Sequence, residues 1–380
     1  MATASAAVAV AATDRASRGI SPLLAAALAL PGIVPAIAYA QAAPDQGIIE
    51  LQYLNYRDWQ PGKNRMKVEA PGLYALIPLS DTWVMEGSLI YDAISGASPK
   101  FFNTLSGATI GDYRTAGNLK VTKYFGSYAI SVDGAVSSET DFLSRAAGGQ
   151  VQFFSDDRNR TLTLGIAGTN DRINSNNGIA VDEGRNTVDF LIGITQVLNK
   201  NAIVQSNLTY STGHGYYSDP YKSLDTRPST RQITAWLTRY NQYLPGPDAT
   251  MKLAYRLLFD SFGTTSNMFE ASWAQALPWG MTLTPLVRYY TQSAADFYKN
   301  PPWPKGYVEG EYYTADTRLA AFGALTGGIT VAKAFADGWS IALRADYYRQ
   351  NTAWRLGGNG SPGLQTFSAR WLQVDVIKTF

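Results

Sequence analysis

Apolar and polar residues alternate along most of this chain. In "YAISVDGAV", Tyr128, Ile130, Val132 and Val136 share one parity, and Ala129, Ser131, Asp133 and Ala135 the other. "RTLTLGIAG" sets Leu162, Leu164 and Ile166 against Thr161, Thr163 and Gly165. "TVDFLIG" sets Val188, Phe190 and Ile192 against Thr187, Asp189 and Leu191. "MKLAYRLLFD" sets Met251, Leu253, Tyr255, Leu257 and Phe259 against Lys252, Ala254, Arg256 and Asp260. "WSIALRADY" and the final "WLQVDVIKTF" repeat the pattern. Successive side chains of a strand point to opposite faces, so period two predicts strands with one apolar and one polar face. No long segment after residue 40 is dominated by a helical period.

The connections predict the topology. Very short turns are expected at 80–82, 126–127, 156–159, 199–201, 245–248, 278–280 and 336–338. Between them lie longer Gly-, Asn-, Ser- and Pro-rich loops at 95–110, 171–185, 213–230, 293–314 and 352–364. Three shorter ones fall near 58–64, 141–146 and 261–266. Short on one side and mostly long on the other is the plan of an up-and-down transmembrane barrel. Seven turns and eight loops predict sixteen strands, each spanning the bilayer with roughly 9–11 residues. A barrel leaves no edge, so the strand ending at Phe380 is expected to pair with the first, near "IIELQYLNY". Trp83 with Tyr91, and Trp339 with Tyr347, sit eight residues apart on one face. That is about 26 Å along a strand and, once tilted, close to the spacing of two aromatic girdles.

The first forty residues differ. Arg15 and Arg18 precede "ISPLLAAALALPGIVPAIAYA", which ends in the small-x-small site Ala38-Tyr39-Ala40. This predicts a secretory signal peptide over 1–40, with one barrel domain over 41–380. Pro31 and Pro35 argue against a spanning helix. Cysteine is absent, which excludes a disulfide framework, a thiolate metal site and a haem-attachment motif. With 32 basic and 30 acidic side chains, nothing suggests a nucleic acid partner. The 23 Tyr, 15 Phe and 9 Trp suit a barrel with aromatic belts.

Several phrases resemble one Gram-negative family, the domain of unknown function numbered thirty-five seventy. They are "NRMKVEAPGLYALIPLSDTWVMEGSLIYDAISGASP" (64–99), "GYYSDPYK" (215–222), "RPSTRQITAW" (227–236), "TPLVRYYTQSAADFY" (284–298) and "YYTADTRLAAFGALTGG" (312–328). The resemblance implies an outer-membrane protein. It also implies a gene neighbourhood with a small lipoprotein, a thioredoxin-like protein and a flavin-transferring maturation enzyme. His214 and the second Tyr of "GHGYYSDPYK" depart from the family, which more often reads Gly-Tyr-Leu there. No site residue follows from the resemblance.

Parity supplies the candidate residues. Glu86, Asp92, Asp133, Asp189, Lys252, Arg256, Asp260, Glu270, Arg288, Arg344 and Asp346 are expected to face the lumen, where charges set solute preference or brace the wall. Ser95, Gly96, Ser98 and Pro99 are expected in a loop that folds into the lumen or turns outward. Asp219 and Tyr221 lie in an aromatic, charged loop that binds a ligand or packs on its neighbours. Phe380 is the closing residue and resembles the terminal aromatic read by the barrel assembly machinery, although Lys378 stands where that signal is usually hydrophobic. His214, the only histidine, has no recognisable Ser or Asp partner, so no catalytic residue, metal or cofactor is expected.

These observations predict an outer-membrane barrel, reached by export through the periplasm and surrounded by outer-membrane lipid. The foremost functional reading is a channel or transporter for small polar solutes or ions. The alternative is a non-transporting barrel that serves as sheath or docking platform for a periplasmic or lipoprotein partner in envelope redox or export. A barrel hydrolase is the third.

Overall fold

The computed structural model describes residues 42–97, 109–222 and 224–380; side chains are described outside 93–112. The segment 1–40 lies outside the described residues. Sixteen strands appear among them. They are β1 (Ile48–Gln60), β2 (Lys63–Ser80), β3 (Trp83–Ala97), β4 (Thr109–Tyr124), β5 (Tyr128–Ser138), β6 (Phe142–Phe154), β7 (Arg160–Ile173) and β8 (Glu183–Asn199). The second half contains β9 (Ala202–Gly215), β10 (Thr230–Leu244), β11 (Ala249–Asp260), β12 (Thr265–Leu277), β13 (Met281–Gln292), β14 (Phe322–Ala334), β15 (Trp339–Asn351) and β16 (Phe367–Thr379). Each pairs antiparallel with its neighbours in sequence, and β1 pairs β16, so the sheet is a closed barrel.

Closure runs from Trp59 opposite Ser368 down to Ile48 opposite Thr379. Two further bonds extend it: Gly47 N donates to Phe380 O at 2.8 Å, and Phe380 N to Gly47 O at 3.0 Å. The Phe380 ring lies over Gly47, where a Cβ would stand 2.5 Å from the ring. Gly47→Val is therefore expected to displace the ring and destabilise the seam by about 1–3 kcal/mol. A lowered temperature of the folded-to-unfolded gel shift would register it; an unchanged temperature would mean the ring does not support closure.

The two faces invert the usual rule. Leu51, Val132, Ile166, Val287 and Leu343 point outward and are each more than half exposed. Inward on the same sheet, Glu50, Asp92, Asp189, Asp346, Gln373 and Asp375 are all less than a tenth exposed. An apolar outside around a polar inside is stable only when lipid is the solvent, and closure satisfies every interior strand's backbone there. The protein is an outer-membrane-type barrel. Trp83, Tyr91, Trp339 and Tyr347 lie on the outer face and are exposed, as two girdles require. Lys378 bends to the Asp337 carbonyl, its ammonium 5.4 Å from the centre of the Trp339 ring. It carries its charge toward the short-turn rim while its stem covers the outer face.

The seven short turns fall where the sequence placed them, and the start of β1 and the end of β16 lie on that rim. Three expectations need correction. Strands run 11 to 18 residues, not roughly 9–11, because the ladder continues beyond the apolar band toward the loops. The loop expected at 141–146 is mostly strand β6, and its turn is 139–141; Ala146, Ala147, Gly148 and Gly149 hide the alternation there. Ser95 and Gly96 belong to β3, opposite Gly111 and Ile110 of β4, rather than to a loop. Ser98 and Pro99 lie outside the described residues.

Candidate functional site

Parity places Glu86, Asp92, Asp133, Asp189, Lys252, Arg256, Asp260, Glu270, Arg288, Arg344 and Asp346 on the inner wall, opposite the exposed apolar residues of their strands. Most meet a partner on the next strand or beside them. Arg114 Nε donates to Asp92 Oδ2 at 2.6 Å, Arg288 Nε to Glu270 Oε2 at 2.6 Å, and Lys120 Nζ to Glu86 Oε1 at 3.3 Å. Arg231 Nε donates to Asp260 Oδ2 at 3.0 Å, and Arg344 pairs with Asp346. Asp133 lies against Gly148, where any Cβ would approach its carboxylate to 3.0 Å. Two pairs escaped the sequence reading: Arg65 with Asp58 at 3.8 Å, and Arg185 with Asp171, whose Nε–Oδ2 distance is 2.8 Å. Only the register brings these partners together. Lys252 and Arg256 have no ion-pair partner among the described residues.

One sector of the inner wall is apolar. Leu54 and Tyr56 of β1, Val68 and Ala70 of β2, and Ala369 and Trp371 of β16 form a buried cluster. Met66, Ile90, Tyr348 and Phe367 pack on it. Arg65 lies 4.8 Å from the centre of the Phe367 ring, a favourable seat for a cation whose stem is buried.

The long-loop rim carries a packed cap. The β13–β14 connection, residues 293–321, extends past the expected 314 because Asp316 caps a 3-10 turn at Thr317–Leu319. Ala295, Phe297, Tyr298, Leu319 and Ala320 from this loop cluster with Phe262, Phe322 and Ala324. Tyr217 and Trp303 pack against the same cluster.

Beside this cluster lies a polar clamp. Arg227 Nε donates to Asp225 Oδ1 at 2.7 Å and Arg227 Nη2 to Asp316 Oδ2 at 3.0 Å. Arg318 Nη2 reaches Asp219 Oδ2 at 2.9 Å and Asp316 Oδ2 at 2.6 Å. Lys222 lies 3.1 Å from Asp219. Three carboxylates thus face three cations, tying 216–229 to 293–321. Backbone pairing of Thr226 with Tyr313 runs alongside. Asp219 belongs to this clamp. Tyr221 extends it by donating to Asp141 and accepting from Asn176 N at 3.1 Å, so the caps of β5–β6 and β7–β8 are joined too.

Burial alone would raise the Asp219 and Asp316 carboxyls, but the Lys222, Arg318 and Arg227 cations hold both well below the ordinary 3.8. A depressed folded value means that fewer protons are bound in the docked state. The clamp's contribution is then complete above about pH 4 and fades only as pH falls through the depressed values. Protease resistance of the cap is expected to be constant from about pH 7 to 5 and to decline only in strong acid. Loosening between those two pH values would show that ionised carboxylates do not hold it.

His214 lies at the end of β9, opposite Thr230 and Asn186, exposed and on the parity of the lipid-facing Leu208 and Tyr210. It does not face the lumen. Phe380 sits at the seam on the opposite rim.

A family model described as "Protein of unknown function (DUF3570)" matches residues 175–371. No curated protein matches the sequence. Solved structures with a similar course include CdiB from Acinetobacter baumannii, with 9% identity and a TM-score of 0.49, covering 86% of this chain and 60% of that one. A bacterial polysaccharide outer membrane secretin shares 9% identity with a TM-score of 0.47, covering 87% and 98%. OccD3 (OpdP) from Pseudomonas aeruginosa shares 9% with a TM-score of 0.44, covering 92% and 96%. The chain spans less than two thirds of CdiB.

Proposed function

The chain belongs to the DUF3570 family, and from that premise we propose that it is a narrow outer-membrane channel for small polar or ionic solutes. The observation that supports this most directly is the charged inner wall of a closed barrel. Lipid outside and charge inside create a path in which an ion exchanges hydration for fixed side chains. Cross-strand pairs hold those side chains in place, so the wall keeps its shape as solutes pass. The cap over the long-loop rim narrows entry, and the apolar sector of β1, β2 and β16 leaves the rest of the wall as the polar track. The mechanism is passive and calls on no cofactor. It also calls on no catalysis, since His214 faces away from the lumen.

The cap supports a second reading, a non-conducting barrel that docks a periplasmic or lipoprotein partner. Single-channel recording of the refolded chain in a planar bilayer separates the two. Stable, salt-dependent current steps are expected. A correctly inserted but silent barrel would overturn the channel reading and leave the docking one.

A further inference from the structure

On the inner wall, Ala254 of β11 is the centre of a ring of charge. Its cross-strand neighbours are Arg239 on β10 and Glu270 on β12. Its neighbours on the same face of β11 are Lys252 and Arg256. With strands about 4.8 Å apart and residues about 3.3 Å along each, all four side chains start within roughly 7 Å of Ala254. Ala254 itself reaches no further than Cβ, so the middle of the ring is open toward the lumen.

The ring is not neutral. Glu270, which accepts from Arg288 Nε at 2.6 Å, is the one carboxylate of the ring. It stands against Arg239, Lys252 and Arg256 around one small residue. Lys252 and Arg256 have no ion-pair partner among the described residues, and Arg256 Nε is buried without a hydrogen-bond partner. Elsewhere on the wall Arg114, Lys120, Arg231 and Arg344 each have a carboxylate. Asn241 and Ser272, the cross-strand partners of Lys252, add polar groups at the lower edge.

The geometry points to a binding subsite for a small oxyanion over Ala254, held by Lys252 and Arg256 with Arg239 beside them. Clustered like charges on a wall are costly unless an anion neutralises them, and the Arg256 guanidinium with the Lys252 ammonium matches a carboxylate, phosphate or sulfate by charge-assisted bonds. The inference deepens the channel reading and rests on it: solutes carrying such a group would be the ones favoured.

The test is calorimetric titration of inorganic phosphate into the full chain refolded in detergent. Wild type is expected to bind, and Lys252→Gln with Arg256→Gln to weaken binding by about ten-fold or more. Lys333→Gln, on the outer face against Phe335, is expected to leave binding unchanged and controls for net charge. Gel mobility of the unheated protein shows whether each variant folds. If the double variant does not fold, the single Arg256→Gln variant is titrated, with several-fold weakening expected. Absent binding in wild type, or equal binding in wild type and variants, would overturn the subsite. Conductance separates the two ideas. A silent barrel that binds phosphate loses the channel reading and keeps the subsite. A conducting barrel with no anion preference under a KCl gradient, and no phosphate binding, keeps the channel and loses the subsite.

Discussion

Replacing Arg227 by alanine will release the loop cap. The side chain is 2% exposed and holds Asp225 and Asp316, themselves almost wholly buried. Removing the cation leaves two carboxylates without their shared partner in a place where water cannot replace it. Breaking a buried pair in this way costs about 3–5 kcal/mol. The loss falls on the docking of 216–229 against 293–321 rather than on the barrel, whose ladders do not involve this side chain. Folded-gel mobility should therefore persist while protease cuts appear in both loops. If the lumen conducts, the mean current should rise as the constriction loosens. Intact loops in Arg227→Ala would mean that the apolar cluster around Phe262 and Phe297 holds the cap unaided. Arg227→Lys tests geometry against charge, because an ammonium cannot reach both carboxylates as a fork does.

Gly215→Val is expected to be at least as disruptive, for a different reason. Gly215 ends β9 with a φ of +134°, a conformation that side chains with a Cβ rarely adopt. A Cβ there would also run into the backbone of β8, 2.6 Å from the Arg185 Cα. The strain alone is roughly 1–3 kcal/mol, and a rigid strand cannot yield to relieve the clash. The top of the β8–β9 ladder must part, and with it the bond from Tyr216 N to Gly184 O at 2.9 Å. Arg185, paired with Asp171 and stacked on Tyr217, lies next to the breach. Reduced yield of folded barrel and earlier thermal unfolding are expected. Folding and stability equal to wild type would show that the β8–β9 rim can rearrange.

Much of the barrel was legible in the sequence because one physical rule repeats sixteen times. Parity exposed the two faces, and the seven short turns marked one rim to within a residue or two. Parity also put the charged positions on the inner wall. It could not pair them. Arg114 finds Asp92 and Arg185 finds Asp171 only through the register, which alternation leaves open. The clamp was harder still. Arg227 bonds Asp316 across 89 positions and Arg318 bonds Asp219 across 99, with no local pattern linking them. The phrase "GYYSDPYK" showed Asp219 and Lys222 of one half and nothing of the other. Where Ala and Gly replace larger apolar residues, as in β6, the alternation itself faded and the loop was misplaced.

The inverted faces bear on the chain's passage before it ever folds. A membrane helix announces itself by about 20 consecutive apolar residues, a stretch that a bilayer captures at once. Here the same lipid-facing surface is divided among sixteen strands, most of them interrupted at alternate positions by polar or small side chains. Unfolded, none of these strands is an uninterrupted apolar run of that length. The affinity for lipid comes into being only when closure turns every outward side chain to one side. The barrel can cross an aqueous compartment as a polar-looking polymer and become a membrane protein in the act of folding.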